Sequence, residues 1–228
     1  MGLPQSILLI YAYSQYSGVM KLFLTSTNIT PELQPYFTTL VGKAWAEIKF
    51  ALIENAADPY PAEKKGFVDE SRAVFASLGM QLARIDLRDY LTPEKNIGAT
   101  LNKFDVIWLG GGNVFYLRWL LEASGFAAVI TDLLKNGAVL AGGSAGAIVA
   151  GPKLDKFDLV DDSSKSPELL MAGLGLTDVT VLPHWGHEKY QSRLDQIKTY
   201  YDKVGCAIVT LTDQQALCVD GDKLRVCP

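Results

Sequence analysis

Short apolar runs alternate with longer mixed stretches along most of this chain. Lys21–Thr25, Lys49–Ile53, Gln81–Ile85, Phe104–Leu109 and Ala138–Ala141 are nearly continuous apolar segments. Strands covered on both faces read this way. Between them, residues 62–78 carry Phe67, Val74, Phe75 and Leu78 among charges, a spacing that predicts a helix lying on a sheet, with Gly79 as its C-cap. A short helix or loop is expected over 92–102, and helices over Val114–Glu122, Phe126–Asn136 and 188–203. Val179–Leu182 and Ala207–Leu211 read as later strands, and Ala216–Val219 with Leu224–Val226 as a hairpin closing around Asp220-Gly221-Asp222. Residues 152–178, rich in Asp, Ser, Gly and Pro, read as an ordered but irregular loop. This alternation predicts one α/β domain, a mostly parallel sheet with helices on both faces and a small C-terminal hairpin. In such a sheet the functional groups gather at the carboxyl ends of the strands, where Gly110–Asn113, Ser144 and His184 all fall.

Composition narrows the classes. With 228 residues, 49% of them hydrophobic, the chain can bury one large core. A net charge of -4 and the lack of a basic run argue against a nucleic-acid partner. Ile7–Tyr11 is apolar but too short to span a bilayer, and no basic residue precedes it, so neither a membrane anchor nor a secretory signal is expected. Met20 stands directly before the first core strand. Residues 1–19 therefore read as an N-terminal extension and 20–228 as the domain. Three scattered cysteines, Cys206, Cys218 and Cys227, fit a reducing, cytoplasmic setting.

The chemistry centres on Gly142-Gly143-Ser144-Ala145-Gly146. It lies between an apolar run and the small-residue run Ala147–Ala150, and its G-x-S-x-G spacing is that of a nucleophile elbow. The same pentapeptide could serve as an ordinary strand-to-helix loop, so the rest of the chain must decide. A serine needs a base, and the base needs an orienting group. Only two histidines are present. His184 ends a strand behind the stiffening Pro183, whereas His187 falls in the turn into the next helix and is the weaker choice. The H-x-x-H spacing lacks the carboxylate or cysteine pattern of a metal site, so neither metal nor cofactor is expected. The oxyanion donors are expected to be the N–H of Ala145 and one from the Gly110-Gly111-Gly112 turn.

Taken together, Phe104–Asn113 with its Gly-Gly-Gly-Asn end, Ser124-Gly125 and Gly142–Ala147 resemble the aspartyl dipeptidase (peptidase E) family of serine peptidases. Met20–Ser26, Pro183-His184 and Leu211–Leu217 agree with it, and the resemblance covers about residues 20–226. It implies a fold similar to class I glutamine amidotransferases, flavodoxin-like in its winding, and kinship with cyanophycinases. It also implies Ser144 as nucleophile, His184 as base and Gly111 with Ala145 as the oxyanion hole. Gly112 and Asn113 would adjoin the substrate. An acid is implied in the loop after the elbow helix, where Asp155, Asp158, Asp161 and Asp162 all qualify; Asp158 has the spacing nearest the family pattern. Arg193 is the positional match for an arginine that holds the substrate's aspartyl side chain, although the interval from His184 is compressed.

The expected function is thus hydrolysis of small peptides with an N-terminal aspartate, the small peptide being the only partner apart from a homodimer suggested by the family. The alternatives are a cyanophycinase-like hydrolase of β-aspartyl-arginine, an α/β-hydrolase esterase, and a ligand-binding relative without catalysis. The esterase is disfavoured by the further strands after His184, and a glutamine amidotransferase would need cysteine at position 144.

Overall fold

The computed structural model describes residues 20–92 and 94–228. The extension expected over residues 1–19 lies outside the described residues. Nine strands are described: β1 (Lys21–Thr25), β2 (Lys49–Ile53), β3 (Gln81–Arg84), β4 (Val106–Leu109), β5 (Val139–Gly143), β6 (Thr180–Leu182), β7 (Ile208–Thr210), β8 (Ala216–Asp220) and β9 (Lys223–Cys227). Seven of them form one sheet in the order β3-β2-β4-β5-β1-β8-β9. The first five run parallel, and β8 and β9 add an antiparallel edge hairpin.

The period-two alternation in each strand explains why both faces are apolar. In β4, Ile107 and Leu109 face one core while Val106 and Trp108 face the other. In β1, Leu22 and Leu24 are separated from Phe23 in the same way. The first core packs against α3 (Ile97–Leu101), α4 (Val114–Ala123), α5 (Phe126–Lys135), α6 (Ala145–Val149) and α7 (Gln191–Lys203). The second is covered by α1 (Gln34–Val41) and α2 (Gly66–Ser77). Aromatic rings dominate there: Phe75 meets Trp108 edge-on at 4.8 Å and Phe23 meets Phe37 edge-on at 5.1 Å, geometries that add to simple area burial.

Three differences from the sequence reading have physical causes. Helix α1 is additional: over two turns it buries only Phe37 and Leu40, too few positions for a periodicity to show. The helix expected over 62–78 is interrupted: a helical turn at Ala62–Lys64 precedes α2, with Gly79 in the left-handed conformation just beyond its end. Finally, His184 does not end a strand of the main sheet. β6 and β7 form a separate parallel pair, because β1's free edge is already taken by β8. Among the described residues no single helix is long and apolar enough to cross a membrane; α4 and α5 pass such a test only as a pair bent by 83°.

Candidate active site

Ser144 follows β5 directly and precedes α6. Its backbone is held at φ 52° and ψ -112°, outside the regions an L-residue prefers. Such a conformation costs on the order of 1–3 kcal/mol and persists only where surroundings impose it. Here they do: the Ser144 N–H donates to the Thr25 carbonyl at 3.0 Å, and the Ser144 carbonyl accepts from Ala147 and Ile148. Gly146 permits the turn, since a Cβ there would lie 2.0 Å from the Leu109 carbonyl oxygen. The result projects the hydroxyl above the sheet's carboxyl edge.

His184 reaches the serine from the β6–β7 pair. Ser26, buried just beyond β1, organises the approach: its hydroxyl donates to the Leu211 carbonyl at 2.9 Å and accepts from the His184 N–H at 3.0 Å. His184 itself adopts φ 61°, so among the described residues two of the three non-glycine positions with positive φ are at this site. The ring's Nε2 lies 3.1 Å from Ser144 Oγ, and Nδ1 lies 2.8 Å from Asp213 Oδ1. A carboxylate can only accept, so Asp213 fixes the proton on Nδ1 and leaves the Nε2 lone pair facing the serine hydroxyl. The Asp213 turn is tied down by Thr27 Oγ1 donating to the Asp213 carbonyl and by Gln215 closing onto the Thr212 N–H.

The carboxylate beside His184 is thus Asp213 and not the expected Asp158. Asp158 is exposed on the turn Phe157–Leu159 and does not reach His184. Asp155 pairs with Lys153 at 3.4 Å, and Asp162 caps the Ser164 N–H. Asp213 lies within the Leu211–Leu217 segment that carries part of the family resemblance, and the missed signal was its place in a turn directly after a strand. Asp161 has a different position. Its carboxylate accepts the Val114 N–H at the start of α4 at 2.9 Å, has the Tyr60 hydroxyl beside it, and lines the cavity above Ser144.

Burial raises the Asp161 carboxyl to about 6, against the Val114 N–H and the Tyr60 hydroxyl, which hold it down. The native state therefore keeps a proton on Asp161 at pH values where the unfolded chain has lost it, so stability falls as pH rises through that window. Asp161→Asn keeps the shape and removes the titration. Thermal melts should show the variant gaining on the wild type between pH 4 and 7, by roughly 3 kcal/mol in all. A pH-independent difference would contradict an enclosed carboxylate.

The glycine turn closes the other side. It is held from behind: Gly110 N–H donates to the Ile53 carbonyl and Asn113 N–H to the Ala56 carbonyl. Asn55, buried after β2, braces that segment through Asp58, Asp86 and the Leu87 N–H. Gly111 packs so close to Ser144 that a Cβ would sit 3.3 Å from the serine Cβ. Among the described residues the N–H groups of Gly111 and Ala145 have no acceptor, leaving two donors beside the hydroxyl.

Gly112 borders the cavity, but Asn113 does not. The Asn113 side chain is buried, accepting the Tyr116 N–H as the cap of α4 and donating to the Asp162 carbonyl. Arg193 is also turned away. Its guanidinium donates to the Lys189 carbonyl at 3.2 Å and toward the Leu159 carbonyl at 3.5 Å, and lies over the Tyr190 ring. Among the described residues no three His, Cys, Asp or Glu side chains converge as metal ligands. The cavity measures about 720 Å³, ample for a short peptide.

A mostly parallel sheet with a strained serine at its carboxyl edge defines an α/β fold of the peptidase E kind. The chain matches Peptidase family S51 over residues 22–227, and it belongs to that family. An uncharacterized peptidase of Listeria monocytogenes is 25% identical over 206 residues, which cover 89% of this chain and 96% of that protein. Peptidase E of Escherichia coli is 32% identical over 135 residues, 51% of this chain and 53% of the relative. Among solved structures, a Listeria monocytogenes protein assigned to peptidase E superposes with a TM-score of 0.78 at 24% identity, covering 92% of this chain and 98% of that one. A peptidase from an acI-B1 Actinobacterium gives 0.64 at 19% identity, covering 94% and 89%. These two likenesses carry the fold.

Proposed function

We propose that this peptidase is of the serine type and releases the first residue of short peptides through a Ser144–His184–Asp213 triad. The observation that supports it most is the continuous relay from Asp213 through His184 to a serine in an elbow conformation. In this scheme Nε2 takes the hydroxyl proton as Ser144 Oγ attacks the peptide carbonyl. The N–H groups of Gly111 and Ala145 receive the oxyanion, a contribution on the order of 3 kcal/mol per donor. The imidazolium then protonates the leaving amine. Water, deprotonated by the same ring, frees the acyl group from Ser144.

Asp161 supports action at a free N-terminus: a largely enclosed carboxylate on the cavity wall suits a peptide's ammonium group. An aspartate in the first position is a second reading. It lacks Arg193 on the cavity wall, and Lys64 and Lys189 are the cations that favour it. The three free thiols are in keeping with a cytoplasmic setting. An activated fluorophosphonate is expected to label Ser144 stoichiometrically and to leave Ser144→Ala unlabelled, read by intact mass and peptide mapping. A folded wild type that resists the reagent would overturn the serine reading and favour a ligand-binding relative.

A further inference from the structure

The cavity's own walls say which first residue it suits, an inference that rests on the serine-peptidase reading above. An ammonium held by Asp161 brings the Cα of the first residue against that carboxylate's neighbours. Those are Tyr60, whose hydroxyl adjoins it, and Val160, next in the chain. Phe157 is tied to the same spot, since its carbonyl accepts the Asp161 N–H at 2.9 Å. Phe67 stands edge-on to Tyr60 at 6.3 Å, and Tyr190 and Leu194 also line the cavity. Each of these surfaces is an aromatic ring or an aliphatic side chain.

Charge argues in the same direction. A carboxylate on the first side chain would lie near Asp161, and like charges at such range repel; Glu70, exposed like Lys64 and Lys189, is screened by solvent in the same way as they are. The Arg193 guanidinium, which would offset this, is committed to the Lys189 and Leu159 carbonyls. Lys64 and Lys189 are exposed, and the ammonium of Lys189 sits 5.2 Å over the Tyr190 ring. Both are strongly hydrated point charges at the rim, where solvent screens them.

We propose that the residue acylating Ser144 carries an apolar or aromatic side chain, received between Tyr60, Phe67, Val160 and Tyr190. Pockets of this kind gain most from large rings and discriminate aliphatic chains by size, about tenfold or more per methylene at their best.

The test compares kcat/KM on Phe-Ala, Leu-Ala, Asp-Ala and Lys-Ala. It also measures how well the amino aldehydes derived from phenylalanine and aspartate protect Ser144 from fluorophosphonate. Phe-Ala and Leu-Ala should exceed Asp-Ala by about tenfold or more, and the phenylalanine aldehyde should protect at correspondingly lower concentration. Phe67→Arg, at an exposed position that tolerates substitution, should narrow the Phe-to-Asp ratio by lowering the first and raising the second. Equal or better turnover of Asp-Ala, or equal or better protection by the aspartate aldehyde, overturns the apolar pocket while leaving the serine chemistry intact. If no dipeptide turns over, the protection ratio decides in the same two directions. A folded protein that does not label at all overturns both readings.

Discussion

Ser144→Ala is expected to lower kcat/KM by about four to six orders of magnitude, with substrate affinity little changed. The reasoning is geometric. Removing Oγ removes the hydroxyl that faces His184 Nε2 at 3.1 Å, while the N–H donors and the cavity stay in place. Alanine keeps the Cβ, so the backbone strain at φ 52° is unchanged, and the melting temperature should move little. That separates loss of chemistry from loss of fold. Steady-state rates on a cleaved dipeptide, with a melt of the same sample, make the measurement. Retention of more than about one per cent of the activity would rule out Ser144 as nucleophile.

Asp213→Asn is expected to cost about 10³–10⁴ in kcat with KM nearly unaltered. An asparagine amide can donate to Nδ1, which moves the ring proton to Nε2 and leaves no lone pair facing the serine. The side chain's shape and its 2.8 Å contact survive, so the effect reports the tautomer rather than packing. Asp158→Asn serves as the counter-test. Asp158 is exposed and does not reach the histidine, and its replacement should change kcat by less than about twofold. The reverse ranking of the two variants would return the acid to the loop after the elbow helix.

Much of this protein is legible from its residues. The parallel strands announce themselves because burial on both faces leaves no polar position to interrupt Phe50–Ile53 or Val106–Leu109. The elbow is equally local: glycines at 142, 143 and 146 stand where the backbones of neighbouring segments leave no room for a Cβ. The tie between His184 and Ser144 could be anticipated because the chain offers only two histidines, and one of them ends a strand.

Other features were settled only by packing. The sequence pattern points to four aspartates of the loop after the elbow helix, yet the carboxylate that meets His184 comes from the turn after β7, brought in by the Ser26 hydroxyl bridging the ends of β6 and β7. No periodicity encodes that bridge, since it joins residues far apart in the chain. The role of Arg193 was likewise open from its type alone. A guanidinium near a histidine can face substrate or backbone carbonyls, and here the Tyr190 ring and the Leu159 and Lys189 carbonyls hold it away from the cavity. Asp161 and Asp162 are adjacent in sequence, but one is enclosed at the start of α4 and the other caps an exposed turn. The sequence by itself determined the sheet, the elbow and the serine–histidine pair, because steric and burial constraints there act within a few residues. Only the tertiary structure decided which carboxylate faces His184 and which groups face the cavity, because those depend on contacts between segments that the chain order keeps apart.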